Sequence, residues 1–149
     1  MSSAQAVTLV TLMAEDNAPD VALFREALID SGISLDLHVV SEGDNVLRFL
    51  RKQPPFTDVP RPDVVLLDIN LPVKNGREIL AEMASDPALN TIPVAVLTTS
   101  AYDSDILDMY PTQRCQYFVK TGDFNELIGI IKKINDFVIS ARADIDTFR

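Results

Sequence analysis

Cysteine is almost missing from this chain: Cys115 is the only one in 149 residues, so no disulfide can form within it. None is needed, because a domain of this length buries roughly 70% of the surface its unfolded chain exposes. Cys115 lies in Arg-Cys-Gln-Tyr-Phe-Val beside a predicted strand, where a half-buried thiol is the expected state. Basic residues are scarce as well, 13 against 22 acidic, and the formal net charge of -9 would repel the phosphates of a nucleic acid. No nucleic-acid partner is therefore expected. The acids are spread along the chain as on an ordinary solvated surface, and they name no other partner. Long apolar runs are missing too. The amino terminus, Met-Ser-Ser-Ala-Gln-Ala, has neither the basic start nor the apolar core of a leader, and no stretch reaches the roughly 20 residues of a membrane span. No repeat or low-complexity segment interrupts the chain. The expectation is a soluble, cytoplasmic protein with no membrane contact, one domain over residues 1–149 with its core at about 7–138 and no separate output domain.

What is present centres on Asp63 to Gly76, reading Asp-Val-Val-Leu-Leu-Asp-Ile-Asn-Leu-Pro-Val-Lys-Asn-Gly. The apolar residues Val64 to Leu67 are too few for a helix and too uniformly apolar for a strand with one wet face. They predict a central strand covered on both sides. Asp68 follows where that strand leaves the core, at the rim where open parallel sheets bind their ligands. Pro72 and the Asn75-Gly76 pair then shape a tight loop around the acid.

The rest of the chain alternates in kind. Val7 to Met13 reads as a strand and ends in Ala14-Glu15-Asp16-Asn17; Pro19 and Asp20 open a helix through Ile29, with Gly32 just past its end. Leu35 to Val40 alternates as a strand with one wetter face, and Asp44 to Lys52 follows as a short helix. The proline-rich piece Gln53 to Pro62 is neither, and is long for such a connection. Arg77 to Ala84 predicts a helix and Ile92 to Leu97 a second near-continuous apolar strand leading into Thr98-Thr99-Ser100. Ser104 to Tyr110 is a short, weakly marked helix closed by Pro111, and Gln116 to Val119 is the last strand, running into Lys120. Asp123 with Glu126 resembles a capping box, and Phe124, Leu127, Ile128, Ile131, Ile134 and Val138 form the inward stripe of a last helix. Alternating strands and helices with right-handed crossovers predict an α/β fold, a doubly wound parallel sheet with helices on both faces. Ile130 and Phe137 lie beside the main stripe of the last helix and suggest a second buried surface, for which self-association is the simplest explanation.

In a parallel sheet the strands end at one edge, so Glu15-Asp16, Asp68, Thr98-Thr99 and Lys120 should meet there. Crowded carboxylates repel one another unless a cation neutralises them, and Mg²⁺ suits a site of few carboxylates and retained waters. A lysine and a hydroxyl add charge and a hydrogen bond for a group with three oxygens. These are parts for phosphoryl transfer to a carboxylate. Each piece alone has a plainer reading. Glu15-Asp16 could cap the first helix, Asp68 could be a turn residue, Lys120 a surface lysine and Thr98 a strand-end residue. Their joint placement in this chain order is what points to chemistry.

The pattern resembles the receiver domain of two-component response regulators from Val7 to about Val138. The resemblance implies a flavodoxin-like fold with strand order 2-1-3-4-5. It also implies a phosphoryl group accepted by Asp68 from a histidine kinase, and Mg²⁺ held by Glu15, Asp16, Asp68 and the backbone carbonyl of Asn70. Thr98 and Lys120 would contact the phosphoryl oxygens, and Tyr117 matches the aromatic switch that responds with Thr98. Such a protein is a phosphoacceptor, not an enzyme of substrate turnover, and its signal is a changed surface. That surface would be the fourth helix, last strand and last helix, with Met109 and Tyr110 on it, and would serve a homodimer. Asn70 and Ser100 occupy places that in receivers influence the lifetime of the phosphate. A narrower likeness, carried by Glu15-Asp16-Asn17-Ala18-Pro19-Asp20-Val21, Arg61-Pro62-Asp63, Asn75-Gly76-Arg77-Glu78 and Ile92-Pro93-Val94-Ala95-Val96-Leu97-Thr98-Thr99-Ser100, is to regulators paired with bacterial phytochrome kinases. One departure is Thr121, where receivers usually carry a proline after the lysine.

Three other readings compete. A metal-dependent phosphatase of the haloacid dehalogenase type carries a second aspartate two residues after its nucleophile, and here that place is Asn70. A flavodoxin-like cofactor carrier needs a hydroxyl- and glycine-rich loop after the first strand, where Glu15-Asp16 would repel a phosphate. A receiver-like scaffold that is never phosphorylated would have no use for the intact set of acids, threonine and lysine. His38, alone on an alternating strand, reads as an exposed or satisfied side chain rather than a phosphate carrier.

Overall fold

The uniformly apolar run at the centre of the chain becomes a strand with no wet face. In the computed structural model, which describes residues 8–99, 101–111 and 114–147, Val64–Leu67 is buried at every position. It forms β3 of a sheet whose other strands are β1 (Leu9–Ala14), β2 (Leu35–Val40), β4 (Val94–Thr98) and β5 (Cys115–Val119). All pairings are parallel and the order is β2-β1-β3-β4-β5, as the resemblance implies. Val7, expected at the start of the first strand, lies outside the described residues.

Alternation along the strands divides the core between the two faces. Leu12, Val65, Leu67 and Val96 face α2 (Gly43–Leu50) and α3 (Gly76–Ser85), whereas Leu9, Met13, Val64, Leu66 and Leu97 face α1 (Ala18–Ser31) and α4 (Phe124–Thr147). Period-two strands and period-3.6 helices make this possible, because each helix needs only one apolar stripe.

The helix ends explain themselves locally. The N-cap of α1 is Asn17, whose side chain accepts the Asp20 N–H at 3.0 Å, and Gly32 at φ 74° closes its other end. The acids Glu15 and Asp16 are thus not the cap. Asn75 and Glu78 form a reciprocal capping box for α3. At α4, Asp123 accepts the Glu126 N–H at 3.0 Å, but the Glu126 carboxylate bonds to Thr121 Oγ1 instead of completing a box.

The short helix expected over Ser104 to Tyr110 is present as a 3₁₀ helix, Ser104–Met109, with no side-chain cap. Six residues are few for an α-helix, and the Asp105 carboxylate is taken by Arg77 of α3. Two expectations are corrected. Tyr110 is buried, 5% exposed, with its hydroxyl directed at the carbonyls of Leu89 (2.9 Å) and Ile92 (2.6 Å), so it is core and not part of a responsive face. Finally, Phe137 is buried in the core and Ile130 packs against it, because α4 spans both the sheet and α1. The width of its apolar stripe therefore gives no argument for self-association.

Cys115 starts β5 half-buried, as expected, and burial pushes its thiol up to about 12 from 9.0. At pH 8 its thiolate population is about a thousandfold below that of a free thiol. Labelling by a disulfide reagent at that pH should be slower by a similar factor in the native protein and fast in urea. Rapid labelling of the native protein would mean that β5 is open to solvent.

Candidate acidic site at the sheet edge

Main-chain bonds bring the strand ends together. The Glu15 N–H donates to Val40 O at 3.0 Å, the Asp68 N–H to Ala14 O at 3.2 Å and the Lys120 N–H to Thr98 O at 2.7 Å. Each residue just past a strand is thereby tied to the strand beside it. Glu15, Asp16 and Asp68 each offer a carboxylate oxygen, and the three atoms lie within 4.8 Å of one another. Asp68 is half-buried, Asp16 exposed and Glu15 only 4% exposed.

Lys120 closes the group from β5. Its Nζ donates to Glu15 Oε1 at 2.7 Å and stands 3.5 Å from Asp20 Oδ2 on α1. Burial works against the Lys120 ammonium, but the bond to Glu15 and the charges of Glu15, Asp68 and Asp20 outweigh it and leave its pKa raised. At Glu15, burial is the largest influence and pushes the carboxyl up. Lys120 pulls it down, and the charge of Asp68 pushes it up again. The net shift of Glu15 is upward, since burial outweighs the one ammonium that several acids share. Among the described residues, neither Asp16 nor Asp68 has an ion-pair partner within 4.0 Å.

This surplus of hard oxygen donors over cationic partners fits a divalent oxygen-liking ion such as Mg²⁺. Asn70, exposed, donates its N–H to Asp68 Oδ1 at 3.2 Å, which fixes the loop just past the acid. Thr98 is fully buried at the end of β4, next to β3. Tyr117 on β5 is half-buried, and its hydroxyl accepts the Asp103 N–H at 3.2 Å. Thr121 is exposed and engages Glu126 of α4. Ser100 lies outside the described residues.

Sequence reasoning missed two participants. Asp20, seen only as a helix-opening acid, also faces Lys120. Arg77 grips Asp105 with two bonds of 2.9 and 3.1 Å and Asp103 with one of 3.0 Å, tying the loop under Tyr117 to α3. The bond to Arg77 holds the Asp105 carboxyl below its usual range, so this tie is present above pH 3.8 and lost as pH falls through the lowered value. A basic residue after Asn75-Gly76 with two acids near the next helix was the available signal. His38 is neither exposed nor satisfied, contrary to the expectation: it is half-buried, its ring rests against Phe49, and its Nε2 is buried 3.2 Å from Asp36 without a hydrogen bond among the described residues.

Comparison with known proteins gives the same picture. The chain is 38% identical to response regulator Rcp1 of a Synechocystis strain, over 86% of this chain and 87% of that protein. Among solved structures, the phosphorylated cyanobacterial phytochrome response regulator RcpA is similar with a TM-score of 0.77 at 38% identity, covering 90% of this chain and 96% of that one. The Mn²⁺-bound form of Rcp1 is similar with a TM-score of 0.74 at 38% identity, covering 87% of this chain and 93% of that one. The model of the response regulator receiver domain matches residues 11–132, and the chain belongs to that family.

Proposed function

We propose that this receiver accepts a phosphoryl group on Asp68 from a histidine kinase in a Mg²⁺-dependent reaction and signals by a changed surface. The observation that carries the reading is the gathering of Glu15, Asp16 and Asp68 within 4.8 Å beside Lys120. Glu15, Asp16, Asp68 and the Asn70 carbonyl would hold the ion. When bound, Mg²⁺ supplies charge neutralisation for the carboxylates and the phosphoryl oxygens. An Asp68 carboxylate oxygen attacks the phosphorus of a phosphohistidine. The new O–P bond forms as the P–N bond breaks, and the electron pair returns to the imidazole. Lys120 shifts toward the phosphoryl oxygens, and Thr98 donates its hydroxyl to them. Tyr117 then leaves Asp103 and moves into the space that Thr98 vacates, a local change that biases a two-state surface.

That surface is the 3₁₀ segment, β5 and α4. Leu107 and Ile139 are exposed there, 36% and 46%, and β5 is an edge strand, features that favour a homodimer as the responding assembly. None of the chain's helices, among the described residues, is long and apolar enough to cross a membrane, which accords with a soluble partner of a kinase. The relatives named for phytochromes make a bacterial phytochrome kinase the first partner to test. The acceptor role also separates this protein from a turnover phosphatase, since Asn70 offers no acid two residues past Asp68. The experiment is transfer of a labelled phosphoryl group from an autophosphorylated phytochrome kinase, with and without Mg²⁺, beside an unrelated histidine kinase. Fast Mg²⁺-dependent transfer from the phytochrome kinase alone is expected, and equal rates from both kinases would contradict the phytochrome pairing.

A further inference from the structure

The strap Pro72–Lys74, just past the acidic site, has a shape its own residues disfavour. The Lys74 N–H donates to Pro72 O at 2.8 Å and Val73 sits at φ 70°. This is the strained form of the three-residue γ-turn, in a β-branched residue that the left-handed region penalises. The Val73 side chain is 70% exposed, so burial does little to offset that penalty. The strap is held instead by the first residue of α2. The Gly43 N–H donates to Pro72 O at 3.1 Å, and a Cβ on Gly43 would lie 1.6 Å from the Lys74 carbonyl oxygen. An ordinary approach of carbon to such an oxygen is about 3.3 Å, so a methyl group at 43 would drive the strap back by roughly 1.7 Å. Gly43 has no positive φ to explain it, and helix propensity alone would favour alanine at that position. The glycine is there for room.

The other end of the loop is closed in the same way. The Gly76 N–H donates to Ile69 O at 2.8 Å, and a Cβ on Gly76 would meet Ile69 Cα at 2.7 Å and Asp68 O at 2.9 Å. The segment from Asp68 to Gly76 is therefore clamped between α2 and the start of α3, with little slack to absorb a shift at Lys74. We infer that Gly43, on a helix carrying none of the acidic-site residues, is a positioning residue that sets Asp68 and the Asn70 carbonyl through the strap. The inference rests on the proposed acceptor function and assigns that site a remote determinant. A displacement near 1 Å at a reacting group costs on the order of 100-fold in rate.

The test compares Gly43→Ala with Gly129→Ala, whose added methyl would meet nothing within 4 Å. Three quantities are read: Mn²⁺ affinity by electron paramagnetic resonance, phosphoryl uptake from acetyl phosphate, and amide shifts of residues 68–76 in metal-free protein. Gly43→Ala is expected to melt cooperatively, bind Mn²⁺ about tenfold more weakly, take up phosphoryl about 100-fold more slowly and shift the strap amides. Gly129→Ala should match the wild type. Adding Val73→Gly lets the strap yield and should restore part of the loss. Unchanged affinity and rate in folded Gly43→Ala would overturn the inference. If Gly43→Ala does not fold, the comparison moves to the Val73→Gly background, and failure to fold there as well would also overturn it, since Gly43 would then be a folding requirement. A wild type that binds Mn²⁺ but never takes up phosphoryl defeats the acceptor function instead, while the affinity and shift readings still judge Gly43.

Discussion

Replacing Lys120 by methionine is expected to slow phosphoryl uptake by roughly 10²–10³-fold and to lower stability at pH 7 by about 2 kcal/mol. The first effect follows from removing a preorganised cation from the group that develops charge during transfer. The second follows from Glu15, which is 4% exposed and would lose the Nζ now 2.7 Å away. Breaking a fully buried pair costs about 3–5 kcal/mol. Here the Lys120 side chain keeps 18% exposure and Glu15 can take up a proton, so the loss is smaller. Its sign with pH is set by Glu15. The folded-state pKa is already raised above 4.5, and removing Lys120 takes away the influences that lower it. The folded variant then holds more protons than the unfolded chain, so stability is fully present below pH 4.5 and is lost as pH rises through the raised value. Urea titrations of metal-free protein at pH 4.5 and pH 7 check this. A deficit that is larger at the lower pH would contradict it.

Leu66→Ala should be a severely damaging core truncation. Leu66 is 1% exposed on β3, in the cluster that joins the sheet to α1 and α4. Truncating a buried leucine costs about 2–5 kcal/mol, the sum of lost transfer energy and a cavity that closes only in part. Against a total stability of roughly 5–15 kcal/mol, that is a large share. For a chain of this length it corresponds to a fall in melting temperature of roughly 5–15 °C. Calorimetry checks it, and a fall of under 2 °C would mean that α1 and α4 can collapse into the space.

The sheet was legible because its signal is local. Four apolar residues ending in Asp68 can be little else than a central strand, and alternation of strand and helix leaves few topologies. The gathering of Glu15, Asp16, Asp68 and Lys120 was legible for a related reason: residues that follow parallel strands must share an edge. What escaped depends on partners distant in sequence. The burial of Tyr110 is decided by the carbonyls of Leu89 and Ile92, and the 3₁₀ form of Ser104–Met109 goes with the capture of Asp103 and Asp105 by Arg77. The place of Gly43 is decided by a carbonyl in another loop. Ile130 and Phe137 misled because a helix that covers both a sheet and a neighbouring helix needs a wider stripe than one face suggests. The Asn17 cap was hidden by two stronger acids beside it.

The most direct measurement is the intact mass of the purified protein after incubation with acetyl phosphate and Mg²⁺, beside Asp68→Asn. A gain of one phosphoryl group that disappears with a chelator and falls at least about a thousandfold in the variant is the expected result. A gain that persists in Asp68→Asn would contradict the assignment of the acceptor. If no gain came from acetyl phosphate or from phosphorylated kinases, phosphotransfer itself would be contradicted.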